Sequence, residues 1–309
     1  MQLFKKTNFD FLGPRKVMYW CSTLIIVAGI VSLFVKGIDY GIDFLGGTEV
    51  VLHFSQKPEI GEVRNALGRI GLGNSEIKAL GLEGDLLIRT TEQGGGTEIA
   101  DRIKAAITEA FPQMTFEVLK QYKISPKISV ELRRDAMYAI VASLIVVLGY
   151  IAMRFKFIYG VGAVIAVFHD VLVALAFLTL LDGVFPFLNL EITQEVVAAF
   201  LTLVGISVND TVVIFDRIRE NLKLYRTMSL GEVINRSLND TLSRTIITQG
   251  TVLLVLFVLL FTGGEVTRGF AFTLAVGTLA GTYSSIYIAS AIVLDWNLRK
   301  GVKGTGPTK

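Results

Sequence analysis

Asp210 and Arg244 are the residues of this 309-residue chain best placed to do chemistry, because each lies in or beside a long apolar run. Asp210 stands in Gly205-Ile-Ser-Val-Asn-Asp210-Thr211, and Arg244 in Leu242-Ser-Arg244-Thr245. A charge in hydrocarbon costs about 2.5–3.5 kcal/mol, so each needs a physical reason to be there. Two chemistries supply one. The first is a static ion pair that fixes helix register. The second is a proton site: burial disfavours the ionised carboxyl, a nearby guanidinium favours it, and any movement between them switches the proton on or off. Ser207, Asn209, Thr211 and Thr245 are the polar neighbours that would support such a site. His169 and Asp170 lie near the middle of another apolar run. They read either as a second relay pair or as a buried acid hydrogen-bonded to Ser and Thr on neighbouring helices.

Other chemistries lack a seat. The sequence has no phosphate loop with its Lys-Ser/Thr, no HExxH, no paired CxxC and no Gly-x-Ser-x-Gly. His53 has no Cys or second His at ligand spacing and reads as a satisfied sheet histidine. Gly94-Gly95-Gly96 before Thr97 reads as a flexible loop rather than an anion cradle. One cysteine, Cys21, allows no internal disulfide. The expectation is a chain with no catalytic residues, metal or cofactor, using at most protons as a coupling ion.

The elements that position these residues follow from hydropathy. Hydrophobic residues make up 52% and charged residues 18%, below the roughly 25% charged of a soluble domain, and the mean hydropathy is +0.57. Six runs are long enough to cross a bilayer: Val17 to Val35, Ala136 to Met153, Phe157 to Leu181, Val196 to Phe215, Thr245 to Thr262, and Gly269 to Leu294. The first is too long for a signal-peptide core and lacks a cleavage site, so it reads as an anchor. Gly277-Thr-Leu-Ala-Gly281, with Gly160 and Gly162, points to close helix packing. Ser229-Leu-Gly-Glu232 is a capping box, expected to start an interfacial helix leading into the fifth span. Asp216 with Arg219 and Glu220 with Lys223 are helical pairs that would carry the fourth helix past the membrane.

Lys and Arg set the orientation. They crowd the tail before the first span, the links after the second and fourth, and the C-terminal tail. The segments Asp182 to Gln194 and Gly263 to Thr267 have none. Residues 1–16 and 299–309 are therefore expected as cytoplasmic tails, and 17–37 as the first span. The remaining spans occupy 135–298, with a cytoplasmic loop at 217–242. Residues 38–134, holding 12 basic and 14 acidic side chains, form an external domain. Its periodicity alternates: strand-like Thr48 to Phe54, helical Glu59 to Ile70, strand-like Glu76 to Leu82 and Asp85 to Thr91, helical Thr97 to Phe111, strand-like Thr115 to Tyr122. This βαββαβ order predicts a ferredoxin-like α+β fold. Gly37 and Pro126 mark its junctions as hinges. The overall expectation is a polytopic α-helical membrane protein with six transmembrane helices and one external domain. A net charge of +3 gives no case for a nucleic-acid partner.

Four segments carry a family resemblance: Gly41-Ile-Asp43-Phe-Leu-Gly46-Gly47-Thr48, Phe168-His169-Asp170-Val171, the run from Gly205 to Asn221 containing Asn209-Asp210-Thr211 and Phe215-Asp216-Arg217, and Ser243-Arg244-Thr245. The layout resembles half of a resistance-nodulation-division transporter, and the motifs resemble the SecF family of bacterial preprotein translocase subunits. The resemblance implies an inner-membrane protein-export accessory of SecDF type, driven by the proton motive force and without a hydrolytic site of its own. It implies a SecD-like partner, association with the SecYEG channel and with YajC and YidC, and a translocating preprotein moved after SecA-driven insertion. It assigns proton coupling to Asp210 and Arg244, with Asp170 and His169 as further candidates, and Asp43, Gly46 and Gly47 to the family glycine motif. Two alternatives belong to other classes: an exporter half for lipids or small molecules, and a purely structural translocase subunit.

The Lys/Arg asymmetry generates a topology test. A cysteine placed at Gly95 should react with a membrane-impermeant thiol reagent from the external side only; labelling from the cytosolic side alone would invert the assignment.

Overall fold

The computed structural model describes residues 7–80, 84–92, 94–185, 188, 190–263 and 265–299. The basic residues Lys5, Lys6, Lys300, Lys303 and Lys309, and Leu82 at the end of the second expected strand, lie outside the described residues. The chain divides into two compact units. One comprises residues through Gly37, Ala139–Leu180 and the chain from Ala198 on; the other comprises Ile38–Tyr138 and Leu181–Val197.

The polar unit begins after α1 (Arg15–Lys36) with a short turn of helix, α2 (Ile42–Leu45). It continues as β1 (Gly47–Phe54), α3 (Ile60–Arg69), β2 (Glu76–Leu80), β3 (Asp85–Thr90), α4 (Glu98–Ala110) and β4 (Phe116–Ile124). All pairings are antiparallel and the strand order is β2-β3-β1-β4, the split βαβ arrangement expected from the sequence. Alternation along β1 sends Val50, Leu52 and Phe54 into a core with Val63 and Leu67 of α3 and Ile99, Ile103 and Ile107 of α4. Gly47 enters β1 with φ +125°, and a Cβ there would collide with the Thr90 carbonyl oxygen. Only glycine lets the strand start that close to β3.

The opposite residues of the same strands carry charge. Glu49, Arg89 and Glu76 form one row across β1, β3 and β2. Arg89 Nη2 donates to Glu49 Oε2 at 2.8 Å and to Glu191 Oε2 at 2.6 Å, while Nη1 donates to Glu76 Oε2 at 3.0 Å. Lys78 Nζ reaches Glu191 Oε1 at 2.8 Å and Asp39 Oδ2 at 2.7 Å. Glu191 belongs to the segment between the third and fourth spans, which explains why Leu181–Val197 joins this unit rather than remaining a free loop. His53 Nδ1 lies 2.5 Å from Asp85 Oδ1, the satisfied sheet histidine. The glycine loop is occupied by its own chain: Gly95 N–H donates to Glu98 Oε2 at 3.0 Å, and Lys123 Nζ donates to the Gly94 and Gly96 carbonyls.

The other unit holds most of the helices long and apolar enough to span a membrane. They are α1, α5 (Pro126–Arg154), α6 (Phe157–Leu181), α7 (Gln194–Leu224), α8 (Leu230–Thr262), and a last helix made of α9 (Glu265–Ser284), a π turn (Ser285–Ala289) and α10 (Ser290–Arg299). The first part of α5 and the first turn of α7 belong to the polar unit. Four expectations change. Pro126 opens α5, where its missing N–H and fixed φ suit the first helical turn, so the second junction from Pro126 on is helical and not an open segment. The 217–242 segment is not a loop: α7 runs to Leu224, and the capping box at Ser229 starts α8 itself. The separate interfacial helix is therefore the first turns of the fifth span. Glu220 pairs with Arg217 at 2.8 Å rather than with Lys223, whereas Asp216 and Arg219 do approach, at 3.9 Å. Gly277 and Gly281 pack as anticipated: any side chain at 277 would strike Leu203 of α7.

The charge row yields a pH test. Arg89 and Lys78 hold the Glu191 carboxyl below its ordinary value of 4.5, against the opposing effect of burial. A group depressed in the folded state contributes fully above its unfolded value and loses that contribution as pH falls through the folded one. Glu191→Gln should cost about 3 kcal/mol at pH 7. Its melting temperature should also fall less than that of the wild type as pH is lowered from about 5 to about 3, as differential scanning fluorimetry would record.

Candidate functional site

Asp170 and Asp210 come from facing helices and both are enclosed: Asp170 is fully buried and Asp210 is 5% exposed. Among the described residues neither forms an ion pair with a Lys or Arg. Asp170 Oδ2 accepts the Ser207 hydroxyl of α7 at 2.5 Å and the Ser284 hydroxyl of α9 at 2.8 Å. Its Oδ1 lies 3.0 Å from His169 Nδ1. Asp210 Oδ1 accepts from Thr245 of α8 at 3.1 Å, and Oδ2 from Ser285 at 3.0 Å. Gln249, one turn past Thr245, also reaches this carboxyl.

Helix geometry explains the assembly. Ser207 and Asp210 are three residues apart on α7 and share a face, so one helix supplies both a donor to Asp170 and the second acid. Ser284 and Ser285 are consecutive, yet each donates to a different carboxyl. They sit at the α-to-π change, where the Ser290 hydroxyl turns back to the Ser285 carbonyl five residues earlier at 2.8 Å. Gly281 leaves the room: a Cβ there would come within 3.3 Å of Ser207 Cβ and 3.5 Å of Asp170 Oδ2.

Arg244 is not where an ion pair would put it. Adjacent residues on a helix point about 100° apart. Thr245 takes the place facing Asp210, so Arg244 is turned outward and exposed. Among the described residues its guanidinium forms no ion pair, and the static Asp210–Arg244 bridge considered from the sequence is not formed. Asn209 is likewise exposed. Thr211 is buried with its hydroxyl unpartnered among the described residues. His169 stacks on Tyr283 with ring centroids 5.8 Å apart, and its Nε2 is buried without a partner among the described residues. Ser284, Ser285 and Gln249 escaped the sequence reading; their one signal is polarity inside apolar runs.

The glycine-motif residues lie in the polar unit. Asp43 Oδ2 accepts the backbone N–H of Gln194 at 3.1 Å, closing the N-terminus of α7 from outside that helix. Burial pushes its carboxyl above the usual range. Gly41 N–H donates to the Ile192 carbonyl at 2.9 Å and Ile192 N–H to the Asp39 carbonyl at 2.8 Å. The motif thus grips the segment that leads into the helix carrying Asp210.

The family model described as "Protein export membrane protein SecD/SecF, C-terminal" matches residues 103–299, and one described as "SecD/SecF GG Motif" matches residues 31–58. The protein translocase subunit SecF of Rhodothermus marinus is 44% identical over 303 residues, covering 98% of each chain. This chain belongs to the SecF family. The SecF of Desulfurispirillum indicum is 40% identical over 296 residues, 94% of this chain and 92% of that one. Among solved structures, SecDF of Thermus thermophilus, described as a translocon-associated membrane protein, superposes with a TM-score of 0.83 at 36% identity. That match covers 97% of this SecF-family chain but 40% of the SecDF chain.

The two positions 244 and 245 should part company in a stability assay. Thr245→Val, which removes a buried donor from Asp210, should cost about 1–3 kcal/mol. Arg244→Gln should stay within about 0.5 kcal/mol for the chain alone. Thermal unfolding in detergent of the two variants checks the contrast.

Proposed function

We propose that this chain is the SecF half of a proton-driven SecDF-type complex that assists preprotein translocation through the SecYEG channel of the bacterial inner membrane. Both termini are cytoplasmic, and the polar unit lies outside, where it meets the emerging chain. The observation that carries this reading is the pair of enclosed acids, Asp170 and Asp210, held by hydroxyl groups. A hydroxyl can donate to an ionised carboxylate and can turn to accept from a protonated one, so the site tolerates both states but grips the ionised one more strongly.

The outward-turned Arg244 supports a partner. An arginine exposed on a membrane-spanning helix requires a counter-charge or water-filled path, and Asn209 on α7 is exposed as well. A SecD-like subunit covers that surface, consistent with SecDF chains of which this one matches 40%. YajC and YidC are further associates on the strength of the family alone. Protonation of Asp210 loosens its hold on Thr245 and Ser285, and the change passes along α7 toward the Asp43-capped end. Each charge crossing 100 mV releases about 2.3 kcal/mol, enough to bias a two-state movement.

Asp210→Asn should retain the complex with its SecD-like partner and abolish proton-dependent export. Export assays in membrane vesicles with and without a proton gradient measure this, and full gradient-dependent export by the variant would sink the proposal.

A further inference from the structure

A concavity separate from the acid site lies where α5 ends and α6 begins, against the stretch of α7 that follows Asp210. It encloses about 270 Å³. Its floor is aromatic, formed by Phe155, Tyr159 and Phe215, with Tyr159 and Phe215 rings packed edge to face at 5.0 Å. Three cations line it: Arg154, Lys156 and Arg219.

Charge counting makes the pocket specific. Asp216 is the carboxylate shared by two of these cations, at 2.7 Å from Arg154 and 3.9 Å from Arg219. Lys156 is exposed and, among the described residues, has no ion pair. One negative charge against three positive ones leaves an excess of two. The Tyr159 hydroxyl, also without a hydrogen-bond partner among the described residues, adds a neutral donor.

Position selects the ligand. The two-residue link Phe155–Lys156 joins two membrane-spanning helices, so the cations stand at head-group depth. Met153 and Phe157 beside them are 86% and 77% exposed, offering apolar surface toward the hydrocarbon. A cationic rim over an aromatic floor, between spans at the membrane boundary, suits a phosphodiester with acyl chains attached. We infer that this pocket binds the head group of an anionic phospholipid, with the phosphate between Lys156 and Arg219 and the acyl chains running down past Met153 and Phe157.

The full chain in neutral detergent can be titrated with phosphatidylglycerol, phosphatidylcholine or inorganic phosphate, with bound lipid counted by native mass spectrometry. The wild type should prefer phosphatidylglycerol over phosphatidylcholine. Each basic side chain removed should weaken phosphatidylglycerol about fivefold, so Lys156→Gln combined with Arg219→Gln should erase the preference, while Lys223→Gln, outside the pocket, leaves it intact. Lys156→Gln alone removes no ion pair and carries the test should the double variant fold poorly. Equal binding of the two lipids, an undiminished preference in Lys156→Gln, or displacement of phosphatidylglycerol by millimolar inorganic phosphate would each overturn the assignment.

Discussion

A carboxyl group inside a helix bundle has no water to hydrogen-bond, so the bundle must supply its partners or expel it. Much of the membrane unit is arranged around meeting that demand twice. Asp170 and Asp210 draw donors from α6, α7, α8 and α9, which ties four helices to two acids. Glycine at 281 and 277 is the packing side of the same requirement, since donors on α9 can reach only if the backbone comes close to α7. Hydroxyls, rather than a guanidinium, meet the demand at Asp210.

The polar unit obeys a parallel rule outside the membrane. Arg89 is buried on a sheet and brings three glutamates with it, from β1, β2 and the segment before α7. Leaving Glu49 or Glu191 alone would strand a buried charge. The Asp43 carboxyl, from the glycine motif, closes the first turn of α7 a few residues later. The segment that joins α6 to α7 is thereby held at two places by the polar unit. These are the two helices that carry the buried acids.

What the sequence disclosed depended on how local the signal was. Apolar runs located the six spans, and the alternation of periods located βαββαβ, because both are written in consecutive residues. The capping box at Ser229 was visible for the same reason, but its consequence was not: whether α8 continues unbroken into the span depends on packing beyond the cap. Asp210 and Asp170 stood out by cost alone. Their partners did not, since Ser284 and Ser285 look like ordinary small residues of a packed helix, and only the fold brings them within reach. For Arg244, depth along a helix was readable and azimuth was not. One residue of offset, about 100° of rotation, separates a bridge from an outward-facing charge.

The π turn at Ser285–Ala289 fits one extra residue into the last helix. Everything after it is therefore out of phase with everything before, by about a quarter of a circle or slightly more. α9 and α10 thus present their faces in two different phases on one continuous helix. If the turn reverts to ordinary α geometry, the C-terminal half must rotate relative to Ser284 and Ser285. The two serines that reach separate acids stand at that seam, where the helix changes phase.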